Sequence, residues 1–279
     1  MSGRIADIAI DSNNENVWYV AVGSGGVWKT KNAGTTWMPL TDNMPFYSTG
    51  SITIDPNDSS RIWVGTGENV AGRHVGIGHG IYLSKDSGST WDDMGLNKSE
   101  HISKIIVHPD NSNIIWVASQ GPLWNSGGDR GLFMSTDGGN TWSNKLYVNE
   151  WTGVTDIIID PTNPDILYAA TWQRHRNVAS LIDGGPGTSI YKSIDGGNTW
   201  NEIDSGLPSS NMGKIGLAIS PMKPEVIYAA IELDRRSGAV FRSDNSGGVW
   251  KKMSNTVAGA TGPHYYQELY ASPHLFDRI

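Results

Sequence analysis

The chain has 279 residues, no cysteine, and a formal charge of −7 from 21 Lys and Arg against 28 Asp and Glu. This excludes a disulfide scaffold, a Cys-ligated zinc site and a thiol nucleophile, and the acidity argues against nucleic-acid binding, which needs a basic footprint. No apolar run approaches the ~18 residues of a membrane-spanning helix, so no membrane insertion is expected of this segment.

Met1–Arg4 leads straight into Ile5-Ala-Asp-Ile-Ala-Ile10, which reads as a strand and not as the apolar core of a signal peptide. Either the protein is cytoplasmic or its leader lies outside this numbering. In the first stretch, strands are predicted at about 4–10, 17–23, 26–31 and 36–40. The last two are joined by Thr30-Lys-Asn-Ala-Gly-Thr-Thr-Trp37. That octapeptide returns at Ser84–Trp91, Ser135–Trp142, Ser193–Trp200 and, decayed, at Ser243–Trp250. Its pattern is S-x-D-x-G-x-T-W, and the Trp-to-Trp spacings are 54, 51, 58 and 50 residues. A period near 50 residues is too long for ankyrin or tetratricopeptide units and fits a four-stranded propeller blade.

A second motif keeps the same period. Ile8-Ala-Ile-Asp11, Ile52-Thr-Ile-Asp55, Ile105-Ile-Val-His108, Ile157-Ile-Ile-Asp160 and Leu217-Ala-Ile-Ser220 each precede a turn and a Trp- or Tyr-bearing strand. The expected fold is an all-β propeller of four-stranded blades, a single domain over 1–279. Blades are placed at about 4–41, 48–96, 101–147, 153–204 and 213–254, with a partial sixth at 263–279. Leu269–Pro273 aligns with Leu217–Pro221, so the sequence reads as a fragment cut inside a sixth blade, with further blades of the same parent chain as its partners. The rival reading is a complete five-bladed ring.

The octapeptide itself reads as a folding device. Asp86, Asp137 and Asp195 can accept from the turn's own backbone N–H groups. The central Gly (Gly34, Gly88, Gly139, Gly197, Gly247) can take positive φ. The Trp (Trp91, Trp142, Trp200 among them) can wedge between sheets.

Function is expected on the rim where insertions gather, in the loops between the second and third strands of each blade. Candidate catalytic carboxylates are Glu68, Asp129, Asp183, Glu232 and Asp234, since glycosidic cleavage needs two facing carboxyls. Candidate ligand-binding residues are Arg73, His74, Trp124, Arg130, Trp172, Arg174, His175, Arg176 and Arg235. Arginines beside aromatics suit a carboxylate-bearing ligand or a stacked sugar. No HExxH pattern or dense Asp loop is present, so neither a metal nor a cofactor is expected.

The octapeptide resembles the Asp-box, or bacterial neuraminidase repeat, of sialidases, xyloglucan-cleaving glycoside hydrolases and the sortilin-type receptor propeller. Ser24–Thr30, Ser119–Trp124, Gly128–Gly131, Asp183–Pro186 and Tyr265–Glu268 are similar to large bacterial proteins of sortilin-like propeller type. Tyr266 and Glu268 resemble a sialidase nucleophile pair, but Arg4-Ile5 is followed by Ala6 where that family carries Pro. The resemblance implies an exported, extracytoplasmic protein. The favoured expectation is a non-catalytic propeller holding a peptide or glycan. The alternative is a glycoside hydrolase acting on a polysaccharide.

Overall fold

The computed structural model describes residues 3–233, 237–255 and 268–279. Every regular element among them is a strand, as the alternating β-branched runs require. The strands form five four-stranded sheets, each antiparallel throughout. The first contains β1 (Ile5–Ile10), β2 (Trp18–Val22), β3 (Gly26–Thr30) and β4 (Met38–Pro39). The second contains β5 (Thr49–Asp55), β6 (Asp58–Thr66), β7 (Ile81–Ser84) and β8 (Asp92–Asp93), and the third β9 (Ile102–His108), β10 (Asn111–Ser119), β11 (Gly131–Ser135) and β12 (Ser143–Leu146). The fourth sheet runs β13 (Thr152–Asp160), β14 (Asn163–Gln173), then, after a small loop hairpin of β15 (His175–Arg176) and β16 (Leu181–Ile182), β17 (Ile190–Ser193) and β18 (Asn201–Glu202). The fifth contains β19 (Ile215–Ile219), β20 (Ile227–Glu232), β21 (Gly238–Ser243) and β22 (Lys251–Ser254). These are the blades of an all-β propeller.

The chain divides into two compact units. The first runs up to Asn69 and includes Arg73–Pro122 and Gly127–Asn144; the second takes Val70–Gly72, Leu123–Ser126 and the chain from Lys145 onward. Each unit has its own core between consecutive blades. In the first, Trp63, Ile81 and Leu83 of the second blade pack on Ile105, Val107, Ile115 and Phe133 of the third. In the second, Tyr168, Ala170 and Ile190 of the fourth blade pack on Leu217, Ile227, Ala229 and Phe241 of the fifth. Burial of these apolar faces is the main stabilising term, roughly 25 cal/mol per Å² removed from water.

The Asp-box turns are built as their residue types demand. Asp137 accepts from the Thr141 N–H at 2.9 Å and from its hydroxyl at 2.6 Å, and the Ser135 hydroxyl donates to the same carboxylate at 2.8 Å. Asp86 and Asp195 repeat the arrangement. These hydrogen bonds, led by that from the Thr hydroxyl, hold all three carboxyls down at about 2. Where the first and fifth boxes carry Asn, Asn32 and Asn245 still accept from the backbone N–H of Thr36 and Val249. The fifth turn residue is Gly with φ between 84 and 93° in all five copies. The fourth is also left-handed, and three copies place Ala33, Ser87 or Ser246 there.

The turn also joins blades. The indole N–H of Trp142 donates to Met94 O at 2.8 Å, and that of Trp250 to Ile203 O at 2.9 Å, each on the preceding blade. Lys29 and Tyr19 of the first blade both donate to Ser87 O, at 2.9 and 3.3 Å. Lys192 and Tyr168 of the fourth blade both donate to Ser246 O, at 3.0 and 3.4 Å. A second clamp comes from the first strand. Asp7 accepts from the Ile52 N–H at 3.0 Å and Asp156 from the Leu217 N–H at 2.8 Å.

Of the expected sixth blade, 263–267 lies outside the described residues. Leu269, Ala271 and Phe276 pack against Ala218, Val226 and Tyr228 of the fifth blade, but 268–279 forms no strand. Asp277 takes hydrogen bonds there from Tyr228 at 2.6 Å and Arg242 at 2.7 Å.

Two outcomes follow. A Cβ on Gly139 would lie 2.6 Å from Cη2 of Trp63 at a φ of +90°, so Gly139→Ala should cost about 1–3 kcal/mol in urea denaturation. Gly138→Ala should cost less, since its nearest neighbour is Asn113 Oδ1 at 3.3 Å and Ala occupies the matching position 33. The depressed box carboxyls stabilise the fold fully above the ordinary carboxyl range, and that stabilisation is lost as pH falls through about 2. Replacing Asp86, Asp137 and Asp195 together by Asn should therefore flatten the acid limb of a Tm-versus-pH curve. An acid limb identical to that of the parent chain would refute the assignment.

Candidate functional site

The long loops of the first unit spend their charged residues on one another. Glu68 is fully buried, and both its oxygens are held by Arg4, at 2.6 Å to Nε and 2.7 Å to the terminal nitrogen. It also fills the space over Gly23, where a Cβ would meet Oε1 at 2.5 Å. Asp129 accepts from the Lys98 N–H at 2.9 Å and closes its loop. Arg130 is buried and donates to the carbonyls of Gln120 at 2.7 Å, Gly127 at 3.2 Å and Pro122. Arg73 and His74 are exposed. Glu68, Asp129 and Arg130 thus hold loop geometry, because a buried polar group must find its partner within the protein.

In the second unit, Arg174 is fully buried and donates to Val70 O at 3.0 Å; buried Arg176 donates to Ala71 O at 3.2 Å through Nε. The expectation that these arginines meet a ligand is corrected: they tie the loop hairpin to the segment at 70–72. His175, between them, packs at a tilt of 38° against Trp151 with ring centroids 4.0 Å apart. Trp172, expected as an exposed platform, is buried, with the Arg174 guanidinium 5.0 Å and the Lys214 ammonium 5.4 Å from its ring. Trp124 stands on the surface, 36% exposed. Asp234 and Arg235 lie outside the described residues, as do Tyr265 and Tyr266.

One carboxyl pair remains, and glycines allow it to assemble. Gly213 donates to Glu232 O at 2.7 Å, and Glu232 returns a bond to Lys214 O at 3.0 Å. Gly185 donates to Met212 O at 3.2 Å, which seats the loop carrying Asp183 on the same stretch. A Cβ on Gly213 would meet Asp183 O at 3.0 Å and Glu232 Cβ at 3.1 Å. A side chain at residue 213 would press on the backbone of Asp183 and the stem of Glu232.

The electrostatics follow from that seating. Burial pushes the Asp183 carboxyl up to about 8, and the neighbouring Glu232 charge adds to the rise against Arg174, Lys214 and Arg176. Its Oδ1 is buried without a hydrogen-bond partner among the described residues. Burial raises Glu232 too, opposed by the backbone N–H and charge of Lys214. Burial pushes the Lys214 ammonium down to about 8. The cluster holds a carboxyl that is protonated at neutral pH beside a second carboxyl and a buried cation. Lys214 was not singled out in the sequence; a Gly-Lys pair opening an apolar strand was its only signal.

The Sortilin-Vps10 family model (sortilin, neurotensin receptor 3) matches residues 25–148. A xyloglucanase of Paenibacillus sp is 25% identical over 293 residues, covering 95% of this chain and 27% of its own length. Xyloglucanase Xgh74A of Acetivibrio thermocellus is 25% identical over 279 residues, covering 91% and 31%. Among solved structures, an ancestral GH74 enzyme aligns with a TM-score of 0.73 at 23% identity, over 98% of this chain and 33% of that one. YCF48 bound to D1 peptide aligns with a TM-score of 0.56 at 18% identity, over 89% and 67%. The chain spans about a quarter to a third of the curated relatives it matches. The favoured expectation of a non-catalytic binding propeller is overturned by these relatives, which are named as enzymes across most of the chain and support the glycoside-hydrolase alternative. Repeat, blades and likenesses together make the chain a β-propeller that is similar to sortilin over residues 25–148.

Proposed function

We propose that this chain is part of a glycoside hydrolase acting outside the cytoplasm on a polysaccharide of the xyloglucan class. Asp183 is its general acid and Glu232 its second carboxylate. The observation that carries the reading is the half-buried Asp183–Glu232 pair, two carboxyls whose surroundings lift both above their ordinary values. Glycosidic cleavage needs one carboxyl that still carries its proton at working pH and one that acts as base or nucleophile. The relatives' names supply the substrate class.

In this mechanism protonated Asp183 gives its proton to the glycosidic oxygen as the bond to the anomeric carbon lengthens. Glu232, whose rise is opposed by Lys214, takes a proton from a water that attacks the opposite side of that carbon, so the new carbon–oxygen bond forms as the glycosidic bond breaks. Lys214 and Arg174 offset the negative charge left on Asp183 after transfer. Trp124 is the surface on which a sugar ring stacks. Glu68 and Asp129 take no part, since Arg4 and the Lys98 backbone already hold them.

Asp183→Asn should lower the release of reducing ends from xyloglucan by about 10²–10⁴-fold, the usual worth of a general acid, with the far-ultraviolet circular dichroism unchanged. Glu232→Gln should do the same. The acid works only while protonated, so kcat/KM should fall as pH rises through about 8. Activity that survives both substitutions, or an alkaline limb indifferent to Asp183, would remove these residues from the mechanism.

A further inference from the structure

Glu232 lies where the fifth blade departs from the other four. In those, the first strand carries one extra residue against the end of the second. Ala6 stands between the Ile5–Val22 and Asp7–Ala21 pairs, and Gly50 between Thr49–Thr66 and Ser51–Gly65. Ser103 stands between Ile102–Ser119 and Lys104–Ala118, and Thr155 between Val154–Thr171 and Asp156–Ala170. At the same place in the fifth blade, Ile215–Ile231 and Gly216–Ala230 pair with no residue between them. The irregularity comes one pair later, where Glu232 faces two residues. Its carbonyl accepts from the Gly213 N–H at 2.7 Å, and its own N–H donates to Lys214 O at 3.0 Å. A bulge disrupts the ladder locally and re-aims a side chain. Here the Lys214 N–H hydrogen-bonds the Glu232 carboxylate.

The Lys214 side chain runs inward from that bulge. It is 3% exposed, with its ammonium 5.4 Å from the Trp172 ring. The same ring has the Arg174 guanidinium at 5.0 Å, and its indole N–H donates to Asp183 O at 3.5 Å. A buried ammonium is costly unless opposite charge faces it. The charges that act on Lys214 are those of Glu268, Arg174, Asp156 and Asp183, and its own charge acts on Glu232 and Asp183, the latter also faced by Arg176. All of these residues belong to one compact unit. The two carboxyls are therefore served unequally. Glu232 has a backbone donor and a cation from one residue, whereas Asp183 Oδ1 has no hydrogen-bond partner among the described residues.

We propose, resting on the assignment of Asp183 and Glu232 above, that Lys214 is the positioning residue of the pair: seated by the displaced bulge, it holds Glu232 as the carboxylate and so leaves the single proton on Asp183. Two neighbouring carboxyls do not both ionise cheaply, and the one with the donor and the cation ionises first. Lys214 touches no reacting atom in this scheme. It decides which carboxyl is the acid and which the base.

The test reads Glu232 directly and through turnover. The whole chain, labelled with ¹³C at its glutamate side-chain carboxyls, is titrated by NMR, with the Glu232 signal assigned by its loss in Glu232→Gln. In Lys214→Met the Glu232 midpoint should rise by about one pH unit or more, because an opposite charge is gone. Lys214→Arg, which keeps a cation, should return the midpoint to near the parent's. Lys214→Gln, uncharged but polar, is read beside Lys214→Met, so that the comparison stands if one of them does not fold. In kcat/KM on xyloglucan, the acid limb should move to higher pH in Lys214→Met by the same amount and return in Lys214→Arg. A merely structural lysine would lower activity at every pH and leave the limb in place. A Glu232 midpoint that is the same in the parent and in both uncharged variants overturns the proposal. A midpoint that moves in a chain that cleaves no xyloglucan upholds the hold of Lys214 on Glu232 and removes the hydrolase reading instead.

Discussion

A close approach at one turn residue governs how the sheets stack. At Gly88, Gly139 and Gly247 the glycine at the fifth position of the Asp-box sits where a side chain of the preceding blade already is. A Cβ would meet Leu40 Cδ1 at 2.4 Å from Gly88, Trp63 Cη2 at 2.6 Å from Gly139 and Ile203 Cδ1 at 2.4 Å from Gly247. Positive φ and lack of space coincide there, so the position admits no other residue without a shift. The Asp or Asn two residues earlier fixes the turn, the turn fixes where the left-handed carbonyl points, and Lys–Tyr pairs on the preceding blade use that carbonyl. Sheet faces that would be costly to leave in water are thereby brought together.

The scaffold was legible in the sequence because its parts are local and repeated. Five octapeptides and five alternating runs carry the strands, the turns and their period. The linking contacts were less legible. Nothing in the spacing marks Asp7 and Asp156 as inter-blade acceptors, since the strand on which they act is about 45 to 61 residues away. The rim was misread for a related reason. A loop of Arg, Glu and Trp reads as a ligand surface when its folding is unknown. Arg130, Arg174 and Arg176 turn inward instead, because loops without sheet partners leave carbonyls that only long donors can reach. Asp183 and Glu232 were among the candidates, but their pairing depended on Gly213, which no local pattern flags.

The same side chain serves opposite ends in one chain. Asp86, Asp137 and Asp195 lie in water among three donors and are held at about 2. Asp183 sits half-buried beside another carboxyl, with an oxygen that no donor among the described residues reaches, and is lifted to about 8. The difference comes wholly from surroundings: hydrogen bonds to the charged form in the turns, lost hydration and like charge in the loop. Repetition suits the first role and would be useless for the second, which occurs once.

The left-handed fourth residue of the box has a bearing on how such arrays diverge. Gly occupies it in two copies and Ala or Ser in three, at φ from 49 to 76°. At Ser87 and Ser246 the preceding blade touches this residue through its carbonyl, and every amino acid owns one. Side-chain drift at that site therefore costs only local strain, about 1–3 kcal/mol at most, and leaves the grip between blades intact. Copies of the motif can lose their letters while neighbours still recognise them, which is how a period survives in space after it has begun to fade from the text of the chain.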